Sequence, residues 1–202
     1  MERKILLIGL ALTAGAVGLF LYERARGPLP GAAPETSATA SPAPAIRGVA
    51  VPEFELANLD GTVLRKGDLR DKVLLVNFWA TWCAPCEIEI PWFIDFDKKY
   101  REDGLEVIGI SLDEEGPEVV KKYVAEHNVT YKIVMGNEET AETFGGVIGL
   151  PTTFMVDREG KFWSMHRGLV GKDVVEEEIV ELLGISKKPD PEGETAPASW
   201  TP

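Results

Sequence analysis

The chain has 202 residues, 45% hydrophobic and 27% charged, which suits one globular domain of ordinary size with one sizeable core. A net charge of −12 argues against long-range attraction to nucleic acid or anionic lipid and reads as a well-solvated surface. Two cysteines cannot build a disulfide framework, so apolar burial must hold the fold.

Residues 5 to 22 carry no charge, a run at the short end of what crosses a hydrocarbon core as a helix. Arg3 and Lys4 precede it, Arg24 and Arg26 follow it, and Tyr22 suits an interface. No small-residue cleavage pattern stands close behind it; Ala38-Thr39-Ala40 fits but comes only after several prolines. Residues 1–26 are therefore expected to be an uncleaved anchor and not a signal peptide. Flanking Lys and Arg are nearly balanced and leave its orientation open. Residues 27–50, rich in Pro, Ala, Ser and Thr, are expected to be a flexible linker, and 186–202 a disordered tail.

The folded domain is expected over 51–185. Within "EFELANLDGTVLR", Asp60-Gly61 is a turn signal between β-prone runs and predicts a hairpin. "KVLLVNFWA" is an apolar run of strand length, as a strand covered on both faces requires. A helix is predicted from Pro85 to about Glu102, with Ile88, Trp92, Phe96 and Tyr100 on its buried face and a kink at Pro91. "LEVIGISL" follows as a second buried strand, then an amphipathic helix opened by Pro117, the short strand "YKIVM" and a short helix closed by glycine. "TTFMVD" and "KFWSMHR" form a last hairpin across Arg158-Glu159-Gly160, and a helix ends at Gly184. The alternation predicts a mostly parallel sheet with helices on both faces, finished by an antiparallel pair.

Cys83-Ala84-Pro85-Cys86 follows a predicted strand and opens a helix. Unpaired amides and the positive dipole end at that position stabilise an anion, so Cys83 should form a thiolate readily. Cys86, one turn further in, is expected to be less exposed. That asymmetry suits an exchange in which Cys83 attacks a disulfide and Cys86 resolves the mixed disulfide. A purely structural bridge over three residues would remove little entropy from the unfolded chain. A closed zinc site needs four ligands, and the two histidines, His127 and His166, stand far along the chain as surface or packing residues. Haem attachment needs histidine after Cys86, where Glu87 stands.

"FWATWCAPC", with "GLPTTF" placing Pro151 68 residues after Cys83, resembles the thioredoxin superfamily, and its membrane-anchored TlpA/ResA-like thiol-disulfide oxidoreductases in particular. The resemblance runs from about Val51 to Leu183. It implies an α/β thioredoxin-like fold with an N-terminal β-hairpin and a helix-strand segment inserted between the second parallel strand and the cis-proline. It implies that Trp82 flanks the nucleophile and shapes the docking surface, and that Pro151 follows a cis bond beside the cysteines, where the adjoining backbone at Thr152 pairs with substrate. Glu89 matches a glutamate that the ResA-like branch places near its active site. A carboxylate there raises the cost of a thiolate and can relay a proton, which favours a reductant.

The expected protein is thus a thiol-disulfide oxidoreductase on the extracytoplasmic side of a bacterial cytoplasmic membrane. It reduces disulfide-containing clients such as apocytochrome c, with copper-site assembly factors as rival clients. It needs no organic cofactor or metal, and a membrane thiol-relay protein replenishes its electrons. Two departures matter. Thr152 stands where cytochrome-maturation reductases of the CcmG type usually carry glutamate. Val76 and Ala80 stand where peroxiredoxins carry proline and threonine. A peroxiredoxin-like peroxide reductase and a non-catalytic tethered binding or chaperone module remain the alternatives.

Overall fold

The structure is a computed structural model, and it describes residues 46–189. The expected anchor, the linker up to residue 45 and the tail from 190 onward lie outside the described residues. Among the described residues no helix is long and apolar enough to cross a membrane.

The chain forms β1 (Glu55–Ala57), β2 (Val63–Arg65), β3 (Val73–Trp79), α1 (Ala84–Tyr100), β4 (Leu105–Ser111), α2 (Pro117–Glu126), β5 (Lys132–Met135), α3 (Glu138–Thr143), β6 (Thr152–Val156), β7 (Phe162–Arg167) and α4 (Lys172–Leu183). The β1–β2 hairpin turns at Asp60-Gly61 as the sequence predicts, with Gly61 at φ 87° and the Asp60 carboxylate accepting from Thr62. Five strands form the main sheet in the order β5-β4-β3-β6-β7. Every residue of the central strand β3 is buried, because the strand is paired on both edges and covered on both faces.

The sheet is mixed where a mostly parallel one is expected. β3–β4 and β4–β5 are parallel and β6–β7 is the expected antiparallel pair, but β3–β6 is antiparallel as well. Helix length explains the difference. The 17 residues of α1 carry the chain back along the sheet, so β4 starts where β3 starts. The six residues of α3 span only roughly 9 Å, too short to return the chain along a strand, so β6 enters from the opposite end.

Alternation along each strand sends side chains to two cores. On one face Leu75, Trp79, Val107 and Met155 pack with Phe93 and Phe96 of α1, Val120 and Tyr123 of α2, and Val175 and Ile179 of α4. On the other, Val76, Phe78, Ile108 and Phe154 pack with Leu56 and Leu64 of the hairpin and with Phe144 after α3. The buried face of α1 differs from the predicted one. Ile88 is 46% exposed, while Cys86, Glu89, Ile90, Phe93, Phe96 and Tyr100 face inward. A strict four-residue spacing drifts off a 3.6-residue helix, so it follows the buried stripe only near its C-terminal end. Pro91 lies inside α1, which continues through it.

Residues just outside 51–185 also make contacts with the domain. Gly48 and Val49 exchange backbone hydrogen bonds with Phe162 on β7. Lys187 pairs with the buried Glu176, which also meets Lys99 and the Tyr100 hydroxyl, and Lys188 bonds the Lys99 carbonyl. Packing is tight beside β3. A Cβ on Gly109 would stand 2.6 Å from Ile133 Cδ1 and 2.9 Å from Trp79 Nε1. Gly109→Ala should therefore destabilise the domain by about 1–3 kcal/mol, read as a lower denaturant midpoint at unchanged m-value.

Candidate active site

The catalytic candidates gather where β3 ends and α1 begins. Cys83 is the N-cap of α1, its carbonyl accepting from the amides of Cys86 at 3.0 Å and Glu87 at 3.3 Å. Cys83 and Cys86 are joined as a disulfide with Cα atoms 5.3 Å apart. In this oxidised form both are buried, Cys83 at 4% exposure and Cys86 at 1%, so the expected contrast in access is small. Around them Ala84 and Pro85 are exposed and Trp82 is 69% exposed, an apolar rim around the pair.

The loop before Cys83 is clasped from β4. The Asp113 carboxylate, buried at the end of that strand, accepts from the Thr81 amide at 3.1 Å and the Thr81 hydroxyl at 2.5 Å. The Ser111 hydroxyl donates to it at 2.8 Å. Neither Thr81 nor Asp113 is marked by the sequence pattern, because the clasp joins residues 32 apart.

The Leu150–Pro151 peptide is cis, and Leu150 packs on the cluster that contains both cysteines. The Pro151 carbonyl accepts from Gly168 N–H at 2.8 Å, which ties the cis-proline to the β7–α4 turn. Thr152 is buried and its hydroxyl donates to the Gly149 carbonyl at 2.7 Å, so its side chain is committed to the turn.

Glu89 is 1% exposed and not a solvated helix residue. It points into the sheet, where Asn77 Nδ2 donates to its Oε2 at 3.4 Å and also to Thr153 Oγ1 at 3.0 Å. Burial pushes its pKa from 4.5 up to about 7, against the hydrogen bond from the Val170 amide, the charge of His166 and the bond from Asn77. The carboxyl thus holds its proton close to neutrality and can give it up near there, which an ordinary glutamate does not. A sequence signal for its partner does exist: Asn77 is the one polar residue of the buried run Val73–Trp79. His166, expected as a surface or packing residue, lies on the same sheet face as Asn77, whereas His127 stacks on Tyr123.

The described residues contain no cluster of three or more His, Cys, Asp or Glu fit for a metal. The bonded cysteine pair itself is a two-electron carrier.

The profile of the AhpC/TSA family matches residues 48–163. The thiol-disulfide oxidoreductase ResA of Bacillus thuringiensis is 33% identical over 136 residues, covering 67% of this chain and 78% of that protein. ResA of Geobacillus thermodenitrificans is 32% identical, covering 67% and 77%. Among solved structures, a thiol:disulfide interchange protein of the thioredoxin family from Chlorobium tepidum superposes with a TM-score of 0.62 at 30% identity, covering 67% of this chain and 97% of its own. Fold, cysteine pair and likeness agree: the chain belongs to the AhpC/TSA family of the thioredoxin superfamily, as a relative of ResA, and is a thiol-disulfide oxidoreductase.

Proposed function

We infer that the chain reduces disulfides in extracytoplasmic client proteins, with Cys83 as nucleophile and Cys86 as resolving thiol. The observation that carries this inference is the cysteine pair at the N-terminus of α1, under the exposed Trp82 and with Glu89 buried one turn behind Cys86. The Cys83 thiolate attacks one sulfur of the client disulfide, forming a mixed disulfide and releasing the other sulfur as a thiolate. Cys86 then gives its proton to the Glu89 carboxylate and attacks Cys83 Sγ. The second client sulfur leaves, and two electrons have passed from the cysteine pair to the client.

The backbone beside cis-Pro151 and the indole of Trp82 position the client segment. Thr152 contributes through its main chain, since its hydroxyl is engaged. Reduction is favoured over oxidation because a carboxylate at Glu89 opposes a Cys86 thiolate and so withholds stabilisation from the reduced form. The apolar run 5–22 with its basic flanks supports a membrane anchor, and the Pro-rich linker a tether on the extracytoplasmic side of a bacterial membrane. A membrane thiol-relay protein then supplies the electrons, and apocytochrome c haem-site cysteines are the client class that the likeness to ResA favours.

A peroxide-reducing enzyme is the lesser alternative: Ala80, buried and without a hydroxyl, stands where that chemistry uses threonine. The deciding experiment is trapping in cells. Cys86→Ser should accumulate a mixed disulfide with a periplasmic or surface client, which mass spectrometry identifies, and Cys83→Ser should accumulate none. Equal adducts from both variants, or peroxide consumption without protein-disulfide reduction, would remove the proposal.

A further inference from the structure

We propose that His166, oriented by Glu178 and Ser164, is a positioning residue for Glu89: its positive charge holds the buried carboxyl ionised, ready to take the Cys86 proton during exchange. This rests on the acid–base role inferred for Glu89 above.

The geometry is a row of residues across the sheet. Asn77 on β3 is the register partner of Thr153 on β6, and Thr153 is the partner of His166 on β7. Register partners share a sheet face, so the three side chains lie in line on the face that α1 and α4 cover. Asn77 bonds both Glu89 and Thr153, which ties the carboxyl to the inner end of the row. At the outer end, His166 Nε2 stands 2.9 Å from Glu178 Oε2 on α4, and Ser164 Oγ donates to the same oxygen at 2.6 Å. Glu178 is thereby fixed as an acceptor and aligns the imidazole. Burial raises its pKa, but the bonds from His166 and Ser164, with the charge of Arg47, bring it below the ordinary value, so it stays an anion.

The His166 and Glu178 side chains keep 16% and 20% of their surface exposed, whereas Glu89 keeps almost none. The row therefore runs from a sealed carboxyl to a solvent-reaching His–Glu pair. The β7–α4 return strengthens the link, because Val170 N–H bonds Glu89 and Gly168 N–H bonds Pro151 only a few residues past His166. The other titratable groups facing Glu89 are Cys86 on its own helix and the phenol of Tyr131 before β5, which burial keeps neutral. Facing His166 are Glu178 from α4, with Arg47 of the N-terminal segment beyond it. His166, held by Glu178, is accordingly the group whose positive charge acts on Glu89. As Cys86 hands its proton to Glu89, that charge holds the receiving carboxylate ready. After exchange the same charge favours renewed loss of that proton from Glu89.

The test is a carboxyl carbon NMR titration of Glu89 in the reduced full-length protein, for wild type, His166→Gln and His166→Arg. His166→Gln should move the Glu89 midpoint upward by on the order of one unit, and His166→Arg should leave it at or below the wild-type value. The pH profile of Cys83 alkylation should move in the same two directions. A residue that merely fills space would shift both variants alike, or neither, and either result overturns the proposal. If the midpoints move as expected while Glu89→Gln exchanges disulfides with a wild-type pH profile, the acid–base role of Glu89 has failed instead, and with it the catalytic meaning of His166.

Discussion

A Cys83→Ser protein should reduce insulin disulfides no faster than dithiothreitol alone, a loss on the order of a thousandfold or more against wild type. Cys83 sits at the N-cap, where the positive end of the α1 dipole favours a sulfur anion. Cys86 cannot take over, because it lies one turn inside the helix, past the N-cap position beneath the exposed rim. The converse variant, Cys86→Ser, should also lose turnover but retain one stoichiometric attack, seen by mass spectrometry as a mixed disulfide that added thiol releases. Turbidity of precipitating insulin chains reads the rates. A Cys83→Ser protein with wild-type turnover would place the nucleophile elsewhere and end this assignment.

Glu89→Gln should be more stable than wild type in alkaline solution and about equal to it in acid. Burial raises the folded-state pKa of Glu89 from the ordinary 4.5 to about 7. Below about 4.5 both the folded and the unfolded chain hold the proton, and burying the carboxyl carries no charge penalty. As pH rises to 7 the unfolded chain releases the proton first, so the native state loses stability, by about 3 kcal/mol in all. Glutamine keeps the size of the side chain, accepts from the Val170 amide, and never ionises. Urea denaturation of both oxidised proteins at pH 4.5 and pH 8 isolates the difference, since all other groups cancel between them. A difference that does not change with pH would mean that the carboxyl is ionised throughout or is reached by water. The same substitution should flatten the pH profile of Cys83 alkylation if the carboxyl acts on the dithiol.

The sequence reveals the parts of this site that are local in the chain. Cys83, Cys86 and the helix they open follow from the strand–turn–helix order around Cys-Ala-Pro-Cys, and the β1–β2 hairpin from Asp60-Gly61. The direction of β6 is not local: it depends on α3 being too short to carry the chain back, which the pattern of apolar residues does not weigh. Ile88 and Glu89 illustrate a different gap. One turn of helix offers either an apolar or an acidic residue to the core, and composition favours Ile88. The structure buries Glu89 because Asn77, 12 residues earlier, and the Val170 amide, far later, together receive its polar atoms. Likewise Asp113 gains its meaning only once β4 lies beside β3 and brings it to Thr81.

Short bridges flank the five-stranded sheet on both sides, Ala50 with Lys161 beside β7 and Asn58 with Val134 on β5. Each occupies backbone groups that would otherwise be open to a strand from another molecule. Both guards come from the segment 50–58, which precedes the catalytic motif. A shortened protein beginning after the hairpin would lose them together, and its natural failure would be self-association through bare strand margins while the cysteine loop stayed intact.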